Sequence, residues 1–259
     1  MPEKPPLRVA VVGASAGLGR CIGMGLADRG TRVAFLARRR DRLENAAKEA
    51  GNGAVAVACD VTDDAGCGQA ITEVVDTFRG LDALVYTTGV GVLAPLTDVS
   101  AEQWGKLFAT NVTGASLVTA AAAPHLAASA GSAVYLSSLS ASYSAPWPLL
   151  GAYAVSKAAL DKLVEAWRIE HPNIGFTRLA VGDCFGGEGD SQTEFNKAWD
   201  PKALESAIHY WMDHGYMQGG LVEADHLVDV VYSVVAAAVV LGVGWWAFRR
   251  LEPEMAVEL

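Results

Sequence analysis

The chain has 259 residues, of which 51% are hydrophobic and 19% charged, and its formal net charge is −9 at pH 7. This composition excludes an intrinsically disordered chain, and the length suits one large α/β domain. The acidic balance argues against nucleic acid or an anionic membrane surface as a partner, although a local basic patch can still bind one phosphate group.

Two further features of the sequence bear on where the protein works. The four cysteines show no Cys-x-x-Cys spacing, which favours a reduced cytoplasmic protein with free thiols. The segment from Val230 to Phe248 carries no charge and is long enough to span a bilayer. Because Gly242 and Gly244 interrupt it, we interpret it as a buried helix followed by a strand, with membrane association as the alternative.

The first predicted strand, Leu7 to Val12, ends at a glycine-rich loop that reads GASAGLG. This loop opens a helix predicted to run to about Arg29. Glycines at such a place allow a tight turn and let the backbone approach a pyrophosphate bound at the helix N-terminus. The Gly-x-x-x-Gly-x-Gly spacing is weak alone but stronger after the first strand of a βαβ unit. The loop residues predicted to contact a dinucleotide are Gly13, Ser15, Gly17, Leu18 and Gly19.

The second predicted strand, Arg32 to Ala37, ends without the acidic residue that many NAD-binding sheets place on the ribose hydroxyls. Three arginines follow instead, and Arg38 is the first of them. A guanidinium can hydrogen-bond a 2′-phosphate in bidentate fashion, so the sequence favours NADP(H) over NAD(H) as cofactor. The alternative is a solvated basic start to the next helix, predicted over Asp41 to Ala50.

The third and fourth predicted strands, Ala54 to Ala58 and Ala83 to Tyr86, also end in candidate cofactor contacts. The Asp60 carboxylate either accepts from an adenine amine or caps the helix that starts near Asp63. Gly89 would let the backbone approach the cofactor. The predicted contacts at these two strand ends are Asp60, Val61 and Gly89.

A long predicted helix, about Ala101 to His125, carries Asn111 near its middle. Asparagine is mildly unfavourable inside a helix, which indicates a buried polar role for this side chain. Strands alternate with helices along the chain without a repeat or a linker. The sequence therefore predicts an α/β fold with a parallel, doubly wound sheet in a single domain over residues 1–259.

The stretch from Val134 to Leu160 combines a strand, a serine-rich loop and a helix that carries Tyr153 and Lys157. An i, i+4 pair lies on one helix face, so the phenol and the ammonium can address one spot. A nearby cation favours phenolate and would lower the pKa of the tyrosine, which suits proton exchange with an alcohol or carbonyl oxygen. The alternative is a half-buried tyrosine one turn from a surface lysine.

Taken together, these motifs resemble those of the short-chain dehydrogenases/reductases, in the same order and at similar separations over nearly the whole chain. The resemblance implies a Rossmann-type sheet of about seven strands and a nicotinamide cofactor that carries hydride. It implies that Tyr153 acts as acid/base and that Lys157 lowers its pKa and holds the ribose. It also implies that Ser138 orients the substrate oxygen and that Asn111 positions a water in a proton relay.

Some positions depart from the pattern of the family. The usual Asn-Asn-Ala-Gly after the fourth strand is replaced by Tyr-Thr-Thr-Gly at 86–89, and the usual Pro-Gly after the sixth strand by Val-Gly at 181–182. The family serine normally lies thirteen residues before the tyrosine. Ser138 has the right context but lies fifteen residues before Tyr153, whereas Ser140 lies thirteen before it. We favour Ser138, because the strand end fixes the serine more firmly than the loop length does.

The region of about residues 183–222 corresponds to the substrate lid of that family. It is rich in aromatic and methionine side chains, which suit an apolar or bulky ligand or else pack the lid or a subunit interface. His209 and His214 lack an evident third ligand, so we expect no metal.

The leading functional interpretation is an NADP(H)-dependent, cytoplasmic oxidoreductase that interconverts a carbonyl and an alcohol. We expect a small-molecule substrate, an apolar ketone or alcohol, and a homo-oligomer, either a dimer or a tetramer. The alternative is a non-catalytic NADP-binding sensor or structural protein on the same fold.

Overall fold

Alternating apolar strands and amphipathic helices build one parallel sheet. The computed structural model describes residues 5–184, 186–217 and 222–237, and within them six strands pair in the order β3-β2-β1-β4-β5-β6. All registered pairs are parallel. The strands are β1 (Arg8–Val12), β2 (Arg32–Ala37), β3 (Val55–Ala58), β4 (Ala83–Tyr86), β5 (Ser132–Ser138) and β6 (Gly175–Val181).

Helices cover both faces of this sheet. The helices are α1 (Gly17–Asp28), α2 (Arg40–Ala50), α3 (Asp64–Phe78), α4 (Ala101–Phe108), α5 (Gly114–Ser129), α6 (Leu139–Ser142), α7 (Gly151–Glu170), α8 (Pro201–Asp213) and α9 (residues 224–237). Buried side chains from α1, α2 and α9 pack on one face, and those from α3, α5 and α7 pack on the other. The predicted α/β class and doubly wound parallel sheet are therefore confirmed.

The apolar segment from Val230 to Phe248 is only partly described. Its first eight residues belong to α9, where Val231 and Val235 are buried against the sheet, as predicted for a core helix. The strand predicted for the rest of the segment, which would be the seventh, lies outside the described residues. Of the helices that are described, none has the length and hydropathy required to cross a bilayer.

The helix predicted over Ala101 to His125 is longer and less regular than expected. It extends through α4 and α5, and between them Ala109–Thr113 forms a π-helical turn in which the Gly114 amide donates to the Ala109 carbonyl. Single π turns inside α-helices are frequent at functional sites. Asn111 lies at the centre of this turn.

β1 and β4 pair with each other at the middle of the sheet. The strand order reverses there, because β2 and β3 lie beyond β1 on one side and β5 and β6 lie beyond β4 on the other. In open α/β sheets, ligands bind beyond the carboxyl ends of the strands at such a reversal. The fold therefore places the glycine-rich loop after β1, the loop after β4 and the end of β5 at the same edge of the sheet.

Candidate active site

Helix α7 brings Tyr153 and Lys157 to the end of β5. Lys157 is only 4% exposed, and its ammonium donates a 2.6 Å hydrogen bond to the Leu136 carbonyl of β5. The Lys157 Nζ lies 5.8 Å from the centroid of the Tyr153 ring. The predicted pair therefore shares one face of α7, and the lysine is buried rather than solvated at the surface.

Asn111 is fully buried and connects the loop after β4 to α7. Its Oδ1 accepts a 2.8 Å hydrogen bond from the Val90 amide, and its Nδ2 donates to the Val90 carbonyl at 2.9 Å and to the Ser156 hydroxyl at 2.8 Å. These three bonds satisfy most of the capacity of the amide. The side chain is therefore held rigidly beside the lysine-bearing helix.

Gly89 lies next to both the Lys157 ammonium and the Asn111 amide. A Cβ atom at this position would lie 3.4 Å from the Lys157 Nζ and 3.7 Å from the Asn111 Oδ1. The structure thus brings Gly89, Asn111 and Lys157 together and leaves space at the glycine that a side chain would fill.

Ser138 ends β5 and is the N-cap of the short helix α6, which was not predicted within the serine-rich loop. Its hydroxyl lies 2.9 Å from the Ser140 hydroxyl and accepts a 3.3 Å hydrogen bond from the Ser140 amide. The Ser138 side chain opposes the rise in the pKa of Tyr153 described next. Of the two candidate serines, it is Ser138 that acts on the pKa of the tyrosine.

The protonation behaviour of the pair differs from the expectation that Lys157 lowers the pKa of Tyr153. Burial raises the pKa of Tyr153 to about 12. Burial also lowers the pKa of Lys157 to about 8, an effect that the charge of Asp161 partly offsets. Desolvation disfavours the charged form of each group. Near pH 7, Tyr153 is therefore a neutral phenol beside a mostly protonated lysine.

Asp161, one further turn along α7, was missed in the sequence. It is 4% exposed, and its Oδ2 accepts hydrogen bonds from the Ser142 hydroxyl at 2.8 Å and from the Arg178 guanidinium at 2.7 Å. It thereby ties α7 to α6 and β6. The i, i+4, i+8 spacing of Tyr153, Lys157 and Asp161 is a signal that would have revealed one polar stripe on this helix.

The glycine-rich loop packs tightly against the residues that follow β4. Gly13 has a φ of +90°, and a Cβ there would lie 2.7 Å from the Thr87 Oγ1. A Cβ at Gly19 would lie 2.4 Å from the Gly13 carbonyl oxygen. The N-cap of α1, Ala16, offers no side-chain cap, and the Gly17 amide donates to the Gln192 carbonyl at 3.1 Å. The loop therefore has the close backbone packing expected of a diphosphate-binding turn.

Of the two other loop residues, Ser15 faces the basic residues after β2, whereas Leu18 packs against the core. The Ser15 hydroxyl accepts hydrogen bonds of 2.8 and 3.3 Å from Arg39. Arg38, predicted to meet a 2′-phosphate, is exposed, and its charge acts on Asp60. Sequence reasoning therefore missed Arg39, the arginine that contacts the glycine-rich loop.

Asp60 and Val61 occupy the turn between β3 and α3. The Asp60 Oδ1 accepts from the Thr62 amide at 3.0 Å and from the Thr62 hydroxyl at 2.8 Å, and these bonds lower the pKa of Asp60. The carboxylate thus orders this turn, while Asp63 is the N-cap residue of α3. Val61 is buried against Gly114, where a Cβ would come within 2.8 Å of the Val61 carbonyl.

Aromatic residues of the predicted lid pack onto the walls of the site. The Phe195 ring contacts the Tyr153 ring edge-on at 5.0 Å between centroids, and the Trp199 indole donates to the Gly91 carbonyl at 3.0 Å. Trp211 of α8 is buried and lies 5.0 Å from Trp147 between ring centroids. These contacts favour a packing role for these aromatic side chains.

His214, one of the two histidines considered as metal ligands, is exposed, and its Nδ1 lies 2.9 Å from the Tyr210 carbonyl. Over the described ranges, no three or more His, Cys, Asp and Glu side chains come together in a way that could hold a metal ion.

The sequence model of the family described as "short chain dehydrogenase" matches residues 8–184, which is more than half of the chain. The chain therefore belongs to the short-chain dehydrogenase family. The matched residues include the glycine-rich loop, Asn111, Ser138, Tyr153 and Lys157.

Two curated relatives illustrate the range of names within this similarity. "11-beta-hydroxysteroid dehydrogenase-like 3" of Arabidopsis thaliana is 36% identical over 180 residues, which cover 67% of this chain and 58% of that protein. "Serine 3-dehydrogenase" of Agrobacterium fabrum is 28% identical over 233 residues, which cover 88% of this chain and 87% of that protein. The match thus spans less than two thirds of the Arabidopsis protein.

Solved structures share the fold. An alcohol dehydrogenase from Thermococcus sibiricus, complexed with 5-hydroxy-NADP, superposes with a TM-score of 0.72 at 24% identity over 89% of this chain and 91% of its own. A 3-ketoacyl-(acyl-carrier-protein) reductase from Brucella melitensis, complexed with NADH, gives 0.74 at 23% identity over 90% and 92%. At these identities the likeness concerns the fold alone.

Proposed function

We propose that the protein is an NADP(H)-dependent oxidoreductase that interconverts a carbonyl and an alcohol, with Tyr153 as the acid/base. The observation that carries the proposal is the convergence of Ser138, Tyr153, Lys157 and Asn111 at the ends of β4 and β5. A structural role alone does not require a buried lysine and a buried amide around one open glycine, on the helix that carries Tyr153.

In the proposed mechanism, the substrate oxygen lies between the Ser138 hydroxyl and the Tyr153 phenol. Because the pKa of Tyr153 is raised to about 12, the phenol is protonated at neutral pH and can donate its proton to the oxygen of a carbonyl. Lys157 supplies a positive charge below the site, and Asn111 fixes the loop after β4 against α7. NADP(H), when bound, supplies or accepts the hydride. These protonation states favour the direction of carbonyl reduction near pH 7.

The residues present fit a dinucleotide. The glycine-rich loop leads into the N-terminus of α1, where the helix dipole attracts a diphosphate. The end of β2 bears arginines and no acid, which suits a 2′-phosphate. Arg38 is exposed, and no ion pair is recorded for it among the described side chains.

We expect NADPH to bind at least tenfold more tightly than NADH, a difference of about 1.4 kcal/mol or more. Replacing Arg38 with alanine should remove most of that preference, because the exposed guanidinium would no longer meet the 2′-phosphate. Fluorescence titration with NADPH and with NADH measures this preference in the parent protein and in the variant. Arg40→Ala is the matched control, since Arg40 pairs with Glu44 along α2 at 2.9 Å. Equal affinities of the parent protein for NADPH and NADH would contradict the cofactor assignment.

The two candidate serines give a second test. Because the Ser138 side chain acts on the pKa of Tyr153 and Ser140 bonds back to Ser138, Ser138→Ala should lower turnover about tenfold or more, and Ser140→Ala clearly less. Initial rates with a saturating substrate provide the comparison, and circular dichroism checks the fold. The reverse order of effects would move the substrate-orienting role to Ser140.

The substrate class is best approached by direct screening. Names among the relatives range from a steroid dehydrogenase to a serine dehydrogenase, and the region of residues 183–222, which we propose as the substrate lid, presents exposed Tyr210 and Met212. Ketones, quinones, aldehydes and small hydroxy acids should therefore be compared by NADP(H) absorbance, and we expect apolar, bulky carbonyl compounds to react best. Tight NADPH binding without turnover of any of them would favour a non-catalytic NADP-binding protein. Cytoplasmic location and homo-oligomerisation stay predictions from the sequence.

A further inference from the structure

The segment over residues 186–199, called here the cleft segment, lies across the proposed cofactor site. Near its middle, the Gln192 carbonyl accepts the hydrogen bond from the Gly17 amide in the glycine-rich loop. Three residues later, Phe195 contacts the ring of Tyr153, and at the end of the segment Trp199 bonds to the loop after β4. The cleft segment therefore spans the distance from the diphosphate turn to the proposed acid/base.

Between Gln192 and Phe195, the Glu194 carboxylate is surrounded by cations. Its Oε2 pairs with the Arg39 guanidinium, and its Oε1 lies 3.1 Å from Arg42 Nη1 and 3.2 Å from Lys197 Nζ. Although burial acts in the other direction, hydrogen bonds from Arg39 and Lys197 hold the pKa of Glu194 below its ordinary value. The group is therefore a carboxylate throughout the neutral range.

The position of this carboxylate relates it to the cofactor. Arg39 bonds simultaneously to Glu194 and to Ser15 of the glycine-rich loop, so the anion lies beside that loop and just beyond the end of β2. In dinucleotide-binding sheets, the ribose that carries the 2′-phosphate of NADP occupies this place. Arginine pairs with carboxylates and phosphates through the same forked geometry, so a phosphate and Glu194 would seek the same donors.

We propose that Glu194 competes with the 2′-phosphate of the cofactor for Arg39 and Arg42, and thereby lowers the affinity for NADPH relative to NADH. The inference rests on the proposed NADP(H) function and adds to it a determinant of cofactor choice that lies far along the chain from β2. The Glu194 carboxylate and the 2′-phosphate would repel each other if both bound Arg39 and Arg42. Binding of the 2′-phosphate therefore displaces the carboxylate, whereas NADH has no group that requires this exchange.

The substitution Glu194→Gln tests the competition, because it removes the charge and keeps the shape of the side chain. The probes are 2′,5′-ADP and AMP, which differ by the 2′-phosphate and lack the nicotinamide, together with NADPH and NADH. We expect the dissociation constants of 2′,5′-ADP and NADPH to fall by about fivefold or more, and those of AMP and NADH to change less than about twofold. Calorimetric titration at constant ionic strength provides the measurement.

Glu188→Gln is the matched control, since Glu188 belongs to the same segment, is exposed, and forms none of the ion pairs recorded in the described part of the chain. It makes the same change in net charge, so an equal gain in NADPH affinity would trace the effect to net charge and overturn the proposal. In the double variant with Arg39→Gln, the gain from Glu194→Gln should shrink, because one of the two contested donors is gone.

Three results for Glu194→Gln would overturn the competition: weaker binding of 2′,5′-ADP, an equal gain for AMP and 2′,5′-ADP, or no change in either. An equal gain would mean that the cleft segment only obstructs the cleft. Should Glu194→Gln not fold, Glu194→Ala is measured in its place with the same expected ratios. None of these readouts uses turnover, so a protein that binds NADPH but reduces no carbonyl would refute the proposed activity and leave this inference standing.

Discussion

Replacement of Tyr153 with phenylalanine is expected to lower turnover by about 100-fold or more, the usual contribution of a positioned proton donor. The substitution removes one hydroxyl and keeps the ring that contacts Phe195. The fold and the affinity for NADPH should therefore stay close to those of the parent. Steady-state rates with the best carbonyl compound, together with a cofactor titration, measure both.

Tyr143→Phe is the control for this result. Tyr143 follows α6 and is 68% exposed, so the loss of its hydroxyl should leave turnover nearly unchanged. If Tyr153→Phe retained the parental rate with NADPH binding intact, Tyr153 would not be the acid/base. A large loss in Tyr143→Phe in the same experiment would identify a different proton donor.

Replacement of Lys157 with methionine is expected to reduce turnover by about 100-fold or more and also to weaken NADPH binding. The ammonium is the positive charge next to Tyr153, and its loss removes the cation that stabilises a phenolate when the proton leaves. Methionine has a similar length, so the core beside Leu136 stays filled. The Lys162→Met variant is the control, because Lys162 lies on the same helix with its side chain 79% exposed. If Lys157→Met bound NADPH as tightly as the parent protein does, Lys157 would not contribute to cofactor binding.

The same lysine gives the parent protein a distinct pH dependence of stability. Burial lowers the pKa of Lys157 to about 8, whereas in an unfolded chain a lysine titrates near ~10.4. Between these values the unfolded chain holds a proton that the folded chain has released, so the contribution of Lys157 to the free energy of unfolding rises with pH. Denaturant titrations at pH 8 and pH 10 measure this contribution. The free energy of unfolding of the parent protein should include it, and that of Lys157→Met should not, so the difference between the two proteins should grow with pH.

The sequence predicted the parts of the fold that depend on local pattern. Apolar runs located the strands, and β2 and β4 have the predicted bounds. The glycine-rich loop and the Tyr153–Lys157 spacing were equally local, so both could be placed before any packing was known. The chemical roles assigned to these residues stay predictions.

The features that sequence reasoning missed depend on how distant segments pack. Which of three consecutive arginines faces Ser15 depends on the backbone at the start of α2, where Arg39 is the N-cap in an extended conformation. The direction of the Tyr153 pKa shift depends on the burial of the ring, which includes its contact with Phe195 of the cleft segment. Neither arrangement leaves a spacing or composition signal that can be recognised in advance.

The π turn at Ala109–Thr113 also bears on how the chain can change. A π turn holds one residue more than the α-helical turn it replaces, so it is equivalent to a single inserted residue. Removing one residue there would restore an uninterrupted α-helix, and would rotate α4 by about 100° relative to α5. The shortened helix would gain regular hydrogen bonding, yet Asn111 would no longer reach Val90 and Ser156 together. At this position, a regular α-helix and the hydrogen bonds of Asn111 to both Val90 and Ser156 are mutually exclusive.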